Sequence, residues 1–416
     1  MFIVYIAVWA AFSCLLDYFY MTMGCADEPL GTARTTALSI ADLCSACKLK
    51  RRCIMADQLR VGIVGAHRGS SYFTPFKAIA ETDVTAVCDI NEETLQNVAE
   101  RFGIPQKFTN YSTMLDAVDL VVLATPENLH VPQSIEALEA GKHVISEVTA
   151  AVKLEECYDL VRAVRKSSAK YTMAENTCYS KSNVLIRSMV EVGMFGDVYF
   201  GEGEYLHNIK SLHHDADGNP TWRYYWQVGI NRCNYATHSL GPVLQWFDGR
   251  VESVCCLGTG VNTDPEHAME DTVMMLCKTD GGGLIKIRID MLSNRPANSY
   301  FSLQGTKGCY ESSRGLGAAP KIWLDEFSVT EQWRPLSQFE DLLPERWKNP
   351  PAESENAGDL GEYFKVRDFV DSILNDTQPP LDVYTAMDFT VPGLVSEQSI
   401  ANGGAPMEVP DFRKIE

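Results

Sequence analysis

The sequence predicts an α/β protein, with an N-terminal Rossmann dinucleotide-binding domain and a second α/β domain built on a large, mainly antiparallel open sheet. Three observations carry the prediction. An apolar run near Leu59 breaks into glycines; from there to Glu175 short apolar runs alternate with amphipathic stretches; beyond residue 197 long alternating stretches take over. A chain of 416 residues is too long for one ordinary core. It divides into an extension at 1–54, the dinucleotide domain at 55–176 and a substrate domain at 177–416.

The first run, Val61 to Val64, opens into Gly65-Ala66-His67-Arg68-Gly69. Glycines at such a turn let backbone N–H groups at a helix start approach a pyrophosphate. Gly62, Gly65, Ala66, His67, Arg68 and Gly69 are therefore the candidate phosphate contacts. The fingerprint is imperfect, because Gly65 and Gly69 are four apart and the middle glycine falls on His67. The second run, Val84 to Cys88, closes on Asp89, a carboxylate able to hold a ribose diol, which favours NAD over NADP. Leu120 to Ala124 ends at Thr125-Pro126, and His143 to Ser146 ends at Glu147, the strand end where open parallel sheets bind ligands. Tyr171 to Ala174 completes the series. Helical spacing marks Ser134 to Leu138, stopping at Gly141, then Leu154 to Val164 and Val184 to Val192. Lys142 and His143 belong to strand entry.

In the second half, Asp197 to His207, Glu252 to Gly258, Thr272 to Cys277 and Leu284 to Met291 read as strands, with a hairpin turn at Gly281-Gly282-Gly283. Pro344 to Gly358 reads as a surface loop and Tyr363 to Leu374 as a helix. On the first of these strands Gly201, Gly203, Tyr205 and His207 share a face. The missing side chains leave a hollow for a flat ring, with His207 at its edge, or they merely relieve crowding. Tyr235 and His238 are three apart and project together from a helical turn, placing a phenol and an imidazole within reach of one small substrate. Trp222-Arg223-Tyr224-Tyr225-Trp226 reads as an aromatic strip on a loop, in which Trp222 and Arg223 are candidate substrate contacts.

Composition bounds the partners. A net charge of -19 excludes nucleic acid and anionic membrane as binding partners of the core domains and leaves small-molecule chemistry. Of thirteen cysteines, Cys14, Cys25, Cys44, Cys47 and Cys53 lie in the extension, and the other eight read as reduced, buried thiols. No metal is expected: Cys44, Cys47 and Cys53 lack a fourth ligand nearby, and the adjacent His213 and His214 cannot easily face one ion. Residues 1–20 are apolar enough for an export signal or anchor, but no Lys or Arg precedes Arg34 and Asp17 interrupts the run. The favoured reading starts the functional chain at Met55, in the cytoplasm.

The order of motifs over residues 56 to 412 resembles the Gfo/Idh/MocA oxidoreductases. The carriers are the glycine turn, Ala124-Thr125-Pro126, Ala140-Gly141-Lys142-His143-Val144, Glu147, Glu175-Asn176, Gly193 to Val198 and Thr237-His238. The resemblance implies bound NAD(P), a substrate floor formed by the open sheet, sugars or cyclitols as substrates, and a homo-oligomer built on that sheet. Two departures stand out. The family's Glu-Lys-Pro is Glu147-Val148-Thr149 here, and the aspartate four residues before the key histidine is Asn234. His238 is thus expected to lack a neighbouring cation and an orienting anion. Glu175 to Tyr179, Tyr205 to His207 and Tyr235 to Pro242 resemble NAD-dependent glycosidases of the α-N-acetylgalactosaminidase type, which implies active-site places for Glu147, Tyr179, His207, Tyr235 and His238. The expected function is hydride transfer between NAD and a carbohydrate hydroxyl, with His238 as base aided by Tyr235 or His207. A glycosidase using transient C3 oxidation and elimination is the alternative; an inactive sugar and NAD sensor is the third.

Overall fold

The computed structural model describes residues 58–327 and 332–415. The extension, with Cys44, Cys47 and Cys53, lies outside them. Strands β1 (Leu59–Val64), β2 (Thr82–Cys88), β3 (Gln106–Phe108), β4 (Leu120–Leu123), β5 (His143–Ser146) and β6 (Tyr171–Met173) form a parallel sheet in the order β3-β2-β1-β4-β5-β6. The order reverses between β1 and β4, which opens a crevice at their carboxyl ends. β4 is wholly buried, so it reads as an unbroken apolar run. In this sheet only β3 escaped the sequence, because three mostly polar residues carry no period; in the second sheet the strands after Asp290 escaped it too. Gly65 has φ +83, and a Cβ there would meet the Ala124 carbonyl oxygen at 2.4 Å, so the turn accepts only glycine.

The second sheet contains β7 (Val198–Leu206), β8 (Val251–Gly258), β9 (Thr272–Thr279), β10 (Leu284–Asp290), β11 (Asn298–Gly305), β12 (Gly308–Glu311), β13 (Lys321–Leu324), β14 (Arg334–Pro335) and β15 (Met407–Glu408). Its order is β14-β13-β12-β11-β7-β10-β9-β8-β15, antiparallel except for the parallel pair β7 and β10. The β9–β10 turn forms at the three glycines, with Gly282 at φ +90. Ile285, Ile287 and Ile289 point inward and are fully buried, each contributing about 1.5–3 kcal/mol.

The helix Thr237–Leu244 lies directly on this inner face. A Cβ on Gly203 would stand 2.4 Å from the Ser239 carbonyl oxygen, and one on Gly201 would stand 2.7 Å from Val243 Cγ1. The expected hollow over Gly201 and Gly203 is therefore filled by protein: the glycines admit the helix that carries His238. Pro344 to Gly358 contains two short helical turns, at Glu345–Lys348 and Ala352–Asn356. A long helix, Val383–Ala401, is capped by Asp382, whose Oδ1 accepts from Thr385 N–H at 2.9 Å. After it the chain returns to the first sheet's helices, where Arg165 donates to the carbonyls of Phe412, Arg413 and Ile415. The eight described cysteines are unpaired, six of them buried. Among the described residues no helix is long and apolar enough to cross a membrane.

Candidate active site

The crevice at the strand ends is a cleft of about 720 Å³ between the two sheets. Of the expected residues, Gly65, His67, Arg68, Asp89, Thr125, Pro126, Glu147, Tyr205, His207, Trp222, Arg223, Tyr235 and His238 line it. Gly62 and Gly69 do not: they lie beneath the turn, where a Cβ would meet Met114 and Ile63 respectively. Ala66 is also buried, and its N–H donates to Asp89 Oδ2 at 2.8 Å. Asp89 Oδ1 accepts from Asn91 N–H, so the carboxylate is fixed at the edge of the cleft by two backbone donors. These three positions shape the turn and do not line the cleft.

Glu147 is engaged. Its Oε1 accepts from the buried Tyr72 hydroxyl at 2.9 Å and pairs with Arg68 at 2.6 Å. Lys365 extends the network, lying 3.4 Å from Tyr72 Oη and 2.6 Å from Glu362. Arg68 therefore leaves the phosphate turn and brings a guanidinium to the reacting half, where Val148 lines the cleft in place of the family's lysine. The expected lack of a cation beside His238 is corrected by this residue, whose charge bears on the imidazole.

The expected lack of an anion is corrected too. Glu175 Oε1 lies 2.8 Å from His238 Nδ1 and also accepts from the Thr177 hydroxyl at 2.6 Å. Glu175 is completely buried. Burial pushes its carboxyl up, but the His238 charge and hydrogen bond and the Thr177 donors hold it below the usual range. Burial likewise pulls His238 down, yet Glu175 raises it above an ordinary imidazole. An ionised Glu175 accepts from Nδ1–H, which leaves Nε2 with a free lone pair. Asn234 has a different task, its Oδ1 accepting from Arg232 Nε at 2.7 Å.

Tyr235 is not helical as expected: it takes φ +57 just before the helix, which still brings its ring to 5.5 Å from His238. Burial and the Glu127 charge raise its hydroxyl, which stays protonated. Tyr205 packs 4.9 Å from His238 and reaches His207 Nδ1 at 3.0 Å. Burial, Arg223 and His238 lower His207, which is neutral near pH 7. Tyr179 is the clearest misplacement. Its hydroxyl donates to Asp368 at 3.1 Å, beneath Arg346, and the ring is buried away from the cleft. The aromatic strip is a short helix, Trp222–Trp226, so its side chains diverge. Trp222 and Arg223 reach the cleft, Tyr224 turns to His267, and Trp226 lies under Lys153.

Comparison with known proteins agrees with this geometry. Residues 59–175 match the oxidoreductase family model with an NAD-binding Rossmann fold, and residues 184–311 match the Gfo/Idh/MocA C-terminal domain; together they span more than half of the chain. Residues 259–416 match the C-terminal domain of glycosyl hydrolase family 109. A glycosyl hydrolase family 109 protein of Saccharopolyspora erythraea is 28% identical over 391 residues, covering 86% of this chain and 84% of its own. The alpha-N-acetylgalactosaminidase of Shewanella oneidensis is 26% identical over 404 residues, covering 86% of each. Levoglucosan dehydrogenase, solved with NADH and levoglucosan, superposes with a TM-score of 0.71 at 19% identity, covering 85% of this chain and 99% of that one. An oxidoreductase domain protein from Kribbella flavida gives 0.73 at 20% identity, covering 85% and 100%. The chain belongs to the Gfo/Idh/MocA oxidoreductases, and its first domain is their NAD-binding Rossmann domain.

Proposed function

We propose that the enzyme removes a hydride from a secondary hydroxyl of a carbohydrate, with His238 taking the hydroxyl proton. The observation that carries this reading is the Glu175–His238 pair, which opens onto the same cleft as the glycine turn and Asp89. The residues present fit NAD. Gly65 keeps the turn flat, Asp89 is anchored with lone pairs left for a ribose diol, and Ile90 is 90% exposed at the rim, an apolar surface for a purine ring. When bound, NAD supplies the hydride acceptor. His238 Nε2 receives the proton, Glu175 stabilises the resulting imidazolium, and Tyr235 and Tyr205 flank the reacting carbon as hydroxyl donors. Arg68 and Arg223 supply positive charge to the oxygen as it becomes a carbonyl.

A second reading, redox-neutral glycoside cleavage, is favoured by the family 109 relatives and by the Tyr205–His207 pair. After oxidation at C3, one member of that pair would take the acidified C2 proton and the other would protonate the leaving oxygen. Water addition and return of the hydride would complete the cycle. Incubation in heavy water with free sugars and aryl glycosides separates the readings. A keto-sugar formed one-for-one with reduced NAD supports the dehydrogenase; a cleaved glycoside carrying one solvent deuterium, with no net cofactor change, replaces it by the glycosidase. Binding of NAD and sugar with neither product overturns both.

We also infer a homo-oligomer on the outer face of the second sheet. Leu257, Met274, Leu276 and Leu284 are exposed there on adjacent strands, an apolar patch of the kind that marks an interface.

A further inference from the structure

Three side chains from two loops converge outside the cleft. His213 follows the turn Lys210–Leu212, while Asp264 and His267 come from the connection between β8 and β9. One ligand atom from each lies within 4.8 Å of the other two. Both imidazoles are buried, at 1% and 6% exposure. His213 Nε2 and both nitrogens of His267 have no hydrogen-bond partner. Asp264 Oδ2 stands 2.9 Å from His267 Nδ1, yet the two form no hydrogen bond. A buried nitrogen left without a partner costs about 1–3 kcal/mol, and three such nitrogens in two touching rings require something to satisfy them.

We propose that His213, Asp264 and His267 bind a divalent transition-metal ion, zinc before others. Two imidazole nitrogens and one carboxylate oxygen are borderline donors that suit zinc, whereas magnesium and calcium take oxygen alone. His214 is exposed and takes no part, which is why adjacency in sequence gave no hint of the site. None of the three ligands lines the active-site cleft, and the ion has no part in the hydride step. It ties two loops together. Thr221 N–H donates to the His213 carbonyl at 2.8 Å, and Leu212, Trp222 and Arg223 form a wall of the cleft, so the ion pins that wall to the β8–β9 connection.

The test uses the full chain, stripped with a chelator, dialysed against micromolar zinc and read by elemental mass spectrometry. About one ion per chain is expected, lost in His213→Gln and in His267→Gln, and retained when Cys44, Cys47 and Cys53 are all replaced by serine. Unchanged NAD affinity in the histidine variants shows that they fold. X-ray absorption at the zinc edge of the unmutated chain gives a check independent of variants: nitrogen and oxygen at ~2.0–2.2 Å are expected, with no sulfur at ~2.3 Å. No bound zinc, zinc retained by both histidine variants, zinc lost from the cysteine variant, or a sulfur shell each overturns the proposal.

Discussion

Replacing Glu175 with glutamine removes one charge from the centre of the site and almost nothing else. The amide oxygen can still accept where Oε1 accepts, from His238 at 2.8 Å and Thr177 at 2.6 Å, and the other carboxylate oxygen has no partner to lose. A hydrogen bond to a charged group contributes about 1.5–3 kcal/mol, which at ~1.4 kcal/mol per tenfold lowers the plateau rate roughly 10- to 150-fold. The same energy acts on titration. Glu175 raises His238 in the native protein, so loss of its charge should move that imidazole down. The sign follows from the proton: an imidazolium cannot accept another, so activity is lost as pH falls through the raised His238 value. In E175Q the acid limb should shift to lower pH while the plateau drops. The assay is kcat/KM against pH, followed by absorbance of reduced nicotinamide, beside an NMR titration of His238 that needs no substrate. A lower plateau with an unmoved limb and an unmoved imidazole would refute the pairing.

Other expectations follow from single contacts. Asp89→Ala removes both the ribose acceptor and the partner of Ala66 N–H, and calorimetry should show NAD binding roughly 10- to 100-fold weaker with discrimination against NADP reduced. Gly203→Ala forces a Cβ to 2.4 Å from the Ser239 carbonyl, which should cost about 1–3 kcal/mol in urea unfolding and displace His238 enough to slow turnover. Tyr179→Phe removes a hydrogen bond to Asp368 outside the cleft; it should cost about 1 kcal/mol of stability with kcat within about twofold, and a collapse of kcat at unchanged stability would restore Tyr179 to the chemistry.

The architecture was largely legible because its signals are local. β1, β2, β4 and β5 are apolar runs bounded by glycine, proline or a carboxylate, and β7 to β10 alternate with period two. What the sequence hid was contact between distant positions. Glu175 and His238 are 63 residues apart, so the missing aspartate at Asn234 read as a missing anion. Arg68 belongs to the phosphate turn by position and to the reacting half by reach. Between a hollow and relief of crowding at Gly201 and Gly203 the sequence could not choose, because a strand's own pattern does not show which helix lies on it. Tyr179 failed by resemblance: the motif is present, but its phenol turns to Asp368.

The Glu175–His238 pair is split across the seam of the molecule. Glu175 ends the dinucleotide half and His238 opens the helix of the other half. Joining the first 176 residues to a second half without an imidazole at this place would leave a sealed carboxylate unpaired, an uncompensated charge costing about 3–5 kcal/mol. The halves are therefore not interchangeable parts, and a recombinant exchange would have to carry residue 175 together with the helix it serves.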